Sequence, residues 1–250
     1  MYLKNVYRGK CDMTGCSLSI VIPCYNERDN IPLLLEGFGQ AMARSCVNCP
    51  AIEVVLVDNG STDGSDKVIR ELLPRYPFAR TLRVEVNQGY GYGILQGLDS
   101  CRSDYIGWTH ADLQTDPNDV IKAYSLITQE DMFVKGRRRG RPLSDQFFTT
   151  GMSVFESLYL GAGLYDINAQ PNIFPRNFYE SWKNPPYDFA LDLYALYMAK
   201  KKKIKMVRFD VDFPERKHGE SKWNSGLKSK WKFMKRTIVF SHKMKRGGMQ

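Results

Sequence analysis

Three short apolar runs, each stopped by a polar cluster, constrain this chain most. Residues 18–22 (LSIVI) lead through Pro23 into Tyr25-Asn26-Glu27. Residues 52–57 (IEVVLV) lead into Asp58-Asn59-Gly60-Ser61-Thr62-Asp63-Gly64-Ser65. Residues 104–109 (DYIGWT) stop at His110. Continuous β-rich runs of this length suit strands buried on both faces of a parallel sheet. Helical segments are predicted between them. Asp29 and Asn30 offer caps and Pro32 a first turn for a helix ending near residue 45. A second helix covers about 65–73. A strand over 81–86 follows. Gln88-Gly89-Tyr90-Gly91-Tyr92-Gly93 then opens a helix to about residue 101.

This alternation predicts an α/β fold with a doubly wound sheet. Ligands of such sheets collect beyond the carboxyl ends of the strands, where all three polar clusters fall. The second half is less regular. It reads as a helix over 120–129, a strand over 132–136 and a basic loop holding Arg137, Arg138, Arg139 and Arg141. Helices over 146–160 and 188–199 and a strand over 204–213 complete it.

The 250 residues are 43% hydrophobic and 25% charged, enough for a core that needs no disulfides. Cys46 and Cys49 form a C-x-x-C pair, with Cys11 and Cys16 five apart. Zinc held by these four would need tighter spacing or a histidine, so reduced thiols are the simpler reading. No apolar run is long enough to span a bilayer, and the N-terminus lacks a secretory pattern, so the cytoplasm is the expected compartment. The net charge of +9 is unevenly spread: residues 221–250 contain no acid. Leu227, Trp231, Met234 and Ile238 fall at helical spacing among lysines and arginines. This basic amphipathic helix can lie on an anionic membrane, dock on the domain, or do both. Nucleic acid is not an expected partner, because no zinc-finger or RNA-stacking pattern occurs.

Each cluster has a chemical and a plain structural reading. If 110–114 are extended, His110, Asp112 and Gln114 share one side and face one divalent cation; otherwise they form a capped turn. Asp58 either accepts from a nucleoside or closes an Asx-turn, and Glu27 poses the same choice. The glycines at 89, 91 and 93 fit no phosphate-binding signature, and close packing explains them better. The Arg137 loop either binds phosphate or is solvated. Asp188 and Asp192 are either candidate general bases or charges complementing a helix start.

Taken in order, the clusters resemble glycosyltransferase family 2. The matching segments are Val21 to Glu27, Val57 to Gly64, Asn87 to Gly91, and His110-Ala111-Asp112-Leu113-Gln114. The later Glu215-Arg216-Lys217-His218-Gly219-Glu220-Ser221-Lys222 resembles the polyprenyl-phosphate branch that includes dolichol-phosphate mannose synthases. The resemblance implies a GT-A fold, an inverting mechanism, a UDP- or GDP-linked sugar donor, and magnesium or manganese. It implies that Pro23, Tyr25, Glu27, Asp58, Asn87 and Ala111 line the donor site. Asp112 and Gln114 would meet metal and phosphates, with His110 a possible third ligand. Arg216, Ser221 and Lys222 would close over the diphosphate. The family usually has Asp where His110 stands. A lipid-phosphate acceptor needs no base and would be positioned by Arg137; a glycan hydroxyl would need one, for which Asp188 is the candidate. The expected organisation is a leader over 1–16, a catalytic unit over 17–224 and a basic tail over 225–250.

Overall fold

The computed structural model describes residues 17–45, 52–140, 143–214 and 227–246. Its centre is a seven-stranded sheet. The strands are β1 (Leu18–Cys24), β2 (Ile52–Asn59), β3 (Ala79–Val84), β4 (Tyr105–Trp108), β5 (Met132–Arg139), β6 (Asn172–Pro175) and β7 (Lys205–Asp212). Their order is β3-β2-β1-β4-β6-β5-β7. All pairs are parallel except those of β6, which runs antiparallel to β4 and β5. The expected doubly wound α/β sheet is thus present, with one reversed strand.

The apolar runs are buried on both faces, as continuous hydrophobicity requires. Leu18, Ile20 and Ile22 pack with Val54 and Leu56 beneath α1 (Asn30–Arg44) and α4 (Pro117–Ser125). Val21, Val55 and Val57 face the other way, toward α3 (Tyr90–Asp99) and α7 (Leu191–Lys201). Helix α2 (Ser65–Leu72) covers the first face, and the short α6 (Arg176–Glu180) covers the second. Helices α5 (Leu143–Leu160) and α8 (Leu227–Lys245) pack on each other. Among the described residues, no helix is long and apolar enough to cross a membrane.

Several expectations need correction. Arg137, Arg138 and Arg139 are not in a loop. They finish β5, paired in register with Asp210, Val211 and Asp212 of β7. The segment 111–115 is a chain of bends rather than a strand, and Leu113 sits at φ +58°. The alternation that would set His110, Asp112 and Gln114 on one side is therefore broken at its centre. Asp29 makes no side-chain cap. The first two amides of α1 donate instead to the Glu27 carbonyl. On α8 the inward stripe is Met234, Thr237, Ser241 and Met244, with Ile238 turned outward. Strand β6 and helix α6 were not anticipated. The four residues of β6 include Asn172 and end in Pro175, too short and mixed to show a period. Cys11, Cys16, Cys46 and Cys49 lie outside the described residues; Cys24 and Cys101 are buried free thiols.

Helix α3 lies close on the sheet at Gly97. A Cβ there would stand 2.4 Å from Val21 Cγ1 and 2.9 Å from Val57 Cγ2. Gly151, in α5, has open space around it. Gly97→Val should therefore destabilise by about 1–3 kcal/mol through overpacking. Gly151→Ala should stabilise by about 0.5–1 kcal/mol through helix propensity. Urea unfolding of both variants tests this; equal signs would show the α3–sheet contact to be loose.

Candidate functional site

The carboxyl ends of β1, β2 and β4 share one edge of the sheet. The chain order reverses between β1 and β4, the usual place for a ligand crevice in an open α/β sheet. The loops after β1 and β2 are tied together there. Asn26, held at φ +58°, accepts from the Thr62 amide through Oδ1 at 2.9 Å. The amides of Asn26, Glu27 and Arg28 donate to Ser61 Oγ, Ser65 Oγ and Asp63 Oδ2. Glu27 itself accepts from Asn30 Nδ2 at 2.6 Å. Pro23 and Tyr25 stand half-buried on this rim.

Asp58 is buried, and each oxygen has a protein partner. Oδ1 accepts from the Ser61 amide at 3.0 Å, closing the turn. Oδ2 accepts from Arg83 at 2.7 Å. The turn reading is therefore realised, and Arg83 offsets the charge. Asn59 Nδ2 reaches across to the Gly89 carbonyl at 2.9 Å, while Asn87 Oδ1 accepts from the Gly89 amide. The glycines after Asn87 serve packing, as the sequence suggested. A Cβ on Gly91 would lie 2.6–2.7 Å from the carbonyl oxygens of Pro186 and Asp188. This close approach brings the segment before α7 against the start of α3.

After β4, Ala111 and Asp112 are buried and His110 and Gln114 half-buried. Asp112 Oδ1 accepts from the Gln114 amide at 3.2 Å. Gln114 Nε2 donates to the Pro214 carbonyl at 3.0 Å, tying this turn to the end of β7. His110 stacks on Tyr90, with centroids 5.8 Å apart, and Tyr90 stacks on Phe189 at 4.7 Å. Phe189 directly follows Asp188 in the chain. Asp188 Oδ1 accepts from the Ala190 amide at 2.9 Å, just ahead of α7. Among the described residues, no three His, Cys, Asp or Glu side chains cluster closely enough to hold a metal ion by themselves.

Arg137 and Arg139 both pair with Asp210, and Arg138 forms a buried pair with Asp166. Burial would push Asp166 up, but the Arg138 guanidinium and amide hold it below the usual carboxylate range. These arginines thus face carboxylates, not an open phosphate cradle. Arg141, Arg216, Ser221 and Lys222 lie outside the described residues.

A buried polar network beneath the His110 turn was not foreseen. Lys135, in the middle of β5, is 0% exposed. Its Nζ donates to the Ala169 carbonyl at 2.7 Å and to Asn172 Oδ1 at 2.6 Å. Asn172 Nδ2 donates to Gln170 Oε1 and to Asp192 Oδ1. Gln170 Nε2 donates to Asp192 Oδ1 at 2.9 Å and to the Tyr90 hydroxyl at 3.3 Å. Burial pushes Asp192 up and pulls Lys135 down to about 7. The one sequence signal was a lysine inside an apolar run, Met132-Phe133-Val134-Lys135. Asp192 is a network member on the inner face of α7.

Lys135→Met leaves two buried acceptors without their donor. At about 1–3 kcal/mol each, the loss should be about 2–6 kcal/mol in urea unfolding. The lowered pKa means that the unfolded chain holds this proton more tightly than the folded one. Wild-type stability should therefore rise from about pH 7 toward about pH 10, and fall again as pH drops through that window. The variant should lack that rise; parallel pH curves would show that Lys135 stays charged in the fold.

The sequence pattern of glycosyl transferase family 2 matches residues 19–200. An undecaprenyl-phosphate 4-deoxy-4-formamido-L-arabinose transferase from Aeromonas hydrophila is 26% identical over 212 residues, covering 82% of this chain and 62% of that protein. A protein of the same description from Edwardsiella ictaluri is 35% identical over 118 residues, covering 45% of this chain and 34% of that protein. The chain thus spans less than two thirds of these relatives. Glucosyl-3-phosphoglycerate synthase from Mycobacterium tuberculosis, solved with Mn2+, UDP and glucosyl-3-phosphoglycerate, superposes with a TM-score of 0.66 at 17% identity, over 94% of this chain and 81% of that one. The same synthase solved with UDP superposes at 0.69 with 17% identity, over 94% and 81% of the two chains. At such identity the likeness speaks for the fold alone, the GT-A arrangement of a mixed sheet between helices. The matched pattern covers most of the chain, from the first strand to the last turn of α7, and the chain belongs to glycosyl transferase family 2.

Proposed function

We propose that this protein moves a sugar, with inversion, from a nucleotide-diphosphate donor to a polyprenyl-phosphate acceptor, working peripherally at the cytoplasmic face of a membrane. The observation that carries the reading is the convergence of the Asp58, Asn87 and Asp112 loops on one sheet edge within a family 2 chain. The curated relatives, described as undecaprenyl-phosphate sugar transferases, support the lipid acceptor. Residues 17–224 form the catalytic unit in this reading, and 225–250 an appendage.

Pro23, Tyr25, Glu27, Asp58 and Asn87 would line the nucleoside, with Ala111 and Asp112 beside the phosphates. The tied loops would present these groups without first having to be ordered. A divalent ion fits as a partner shared with the donor. Asp112 offers a hard carboxylate, and among the described residues no group of three His, Cys, Asp or Glu could hold the ion alone, so phosphate oxygens and water would complete the shell. The Mn2+ and UDP held by the mycobacterial synthase support that choice. Asp112 and Gln114 are the proposed ligands, with His110 a third. When bound, the ion would neutralise charge on the leaving diphosphate. Arg216, Ser221 and Lys222 would add positive charge and a hydroxyl there.

A lipid phosphate is already anionic and can attack without a base. The competing reading has a saccharide hydroxyl as acceptor, with Asp188 as its base. The Tyr90 stack that joins His110 to Phe189, the residue after Asp188, is what keeps this reading in view.

A thermal-shift screen of UDP- and GDP-sugars with and without manganese tests the donor reading. Binding at about 100 times Kd adds about 2.7 kcal/mol of stability, so one nucleotide series should raise Tm only with metal. Asp112→Ala should remove the metal-dependent part. Unchanged metal-dependent transfer in Asp112→Ala would overturn the assignment. Asp188→Asn should leave lipid-phosphate transfer within a few-fold of wild type; a loss of about a hundredfold or more would favour the hydroxyl acceptor.

A further inference from the structure

Helices α5 and α8 pack on each other, yet each leaves an apolar stripe facing solvent. On α5 the stripe is Val154, Phe155 and Leu158, which are 53%, 40% and 80% exposed. These are helical neighbours at spacings of three and four. The one acid among residues 149–160, Glu156, points inward and accepts from Ser241 of α8. On α8, Ile238 and Val239 are 40% and 61% exposed. Around them Lys235, Arg236, Lys243, Lys245 and Arg246 are all exposed.

The two stripes form one surface. Phe155 stacks on Tyr159, with centroids 5.7 Å apart. Tyr159 bonds to His242 and lies under Lys245 Nζ at 4.4 Å. His242 is one helical turn from Ile238 and Val239. An uncharged apolar band on α5 thus continues into a band on α8 where apolar side chains alternate with cations. No acidic residue occurs anywhere from 221 to 250.

We infer that this joint α5–α8 surface docks on the anionic headgroup layer of a lipid bilayer. Val154, Phe155, Leu158, Ile238 and Val239 enter the acyl boundary, and the lysines and arginines meet phosphates. Charge decides among occupants. A second copy offering the same patch across a two-fold axis would set cations against cations. Nucleic acid would satisfy the cations but leave Leu158 and Val239 without an apolar partner. Anionic lipid satisfies both: each basic residue near such a surface contributes about 1 kcal/mol, and each buried apolar side chain adds to it.

The surface is also placed to serve the site. Strand β5 runs parallel to β1 and β4, because β6 is antiparallel to both β4 and β5. Helix α5 therefore leaves from the same edge that carries the His110 turn. Val154 lies eleven residues into α5, ~16 Å along its axis. This placement deepens the lipid-acceptor reading and rests on it for purpose, not for evidence.

Vesicle flotation of the full chain tests the surface, using phosphatidylcholine with and without about one third phosphatidylglycerol. Wild type should float with the anionic vesicles only, and high salt should release it. Two separate double variants, Val154→Glu with Leu158→Glu and Ile238→Glu with Val239→Glu, should each cut the bound fraction by about tenfold or more. The milder Leu158→Gln and Val239→Ser should lower it less. Circular dichroism melts and the nucleotide-sugar thermal shift should stay near wild type in all of them, because none lies at the donor site. Wild type that ignores both vesicles overturns the inference. So do variants that float as well as wild type, variants that turn a dimer into a monomer while vesicle binding is absent, or duplex DNA binding that outcompetes the lipid. A missing donor shift with vesicle binding intact would instead count against the glycosyl-transfer reading alone.

Discussion

The arrangement beneath the His110 turn depends on one buried lysine. Lys135 sits in the middle of β5, where a charge without partners would be too costly to keep. It is kept because Asn172 works as a relay. The Asn172 carbonyl oxygen accepts from Lys135, and its amide donates to Asp192. Two buried ionisable groups are thus joined through a neutral side chain that bonds to both. Those three residues come from β5, β6 and α7, and Gln170 extends the chain of bonds to Tyr90 on α3. Four elements distant in sequence are fixed by one set of hydrogen bonds, at the reversed strand where the two halves of the sheet meet.

The other side of the crevice is held differently. There the loops after β1 and β2 are bound by backbone amides donating to short side chains, Ser61, Asp63 and Ser65 on one loop and Asn26 on the other. Short side chains lose little rotamer freedom in making such bonds, so the rim can be rigid at small entropic cost. That rim is stiff and polar. The segment around Asp188 carries Tyr187 and Phe189 with large exposed rings.

Much of this was legible in the sequence, for identifiable reasons. Residues 18–22 and 52–57 could be placed because a strand buried on both faces must be apolar throughout, and few other structures demand that. The glycines at 89 and 91 were read as packing residues, and the carbonyls of Pro186, Tyr187 and Asp188 fill the space a side chain would take. The failures are equally physical. Arg137 to Arg139 resembled a loop because charge was read as solvent exposure, yet their partners Asp210 and Asp166 come from distant segments. The left-handed backbone at Leu113 carries no compositional mark, since left-handed residues are usually Gly or Asn. Lys135, Asn172 and Asp192 are scattered over 58 positions (135 to 192, inclusive), and only the fold shows that they share one network.

Charge balance links the network back to the His110 turn. A sugar-linked diphosphate is strongly anionic, and several described arginines near the crevice are already paired. Arg83 faces Asp58, Arg138 faces Asp166, and Arg137 and Arg139 face Asp210. In the proposed reading, further positive charge for a diphosphate would come from an ion at Asp112 or from Arg216 and Lys222. The residues of the turn are consistent with that shortage. His110 stands where the resemblance to the family leads one to expect Asp. That replacement removes a negative charge that an incoming phosphate would have to oppose. In that reading Asp112 would meet a cation at a site with less acid around it, and the cation would bind best together with the phosphates it neutralises.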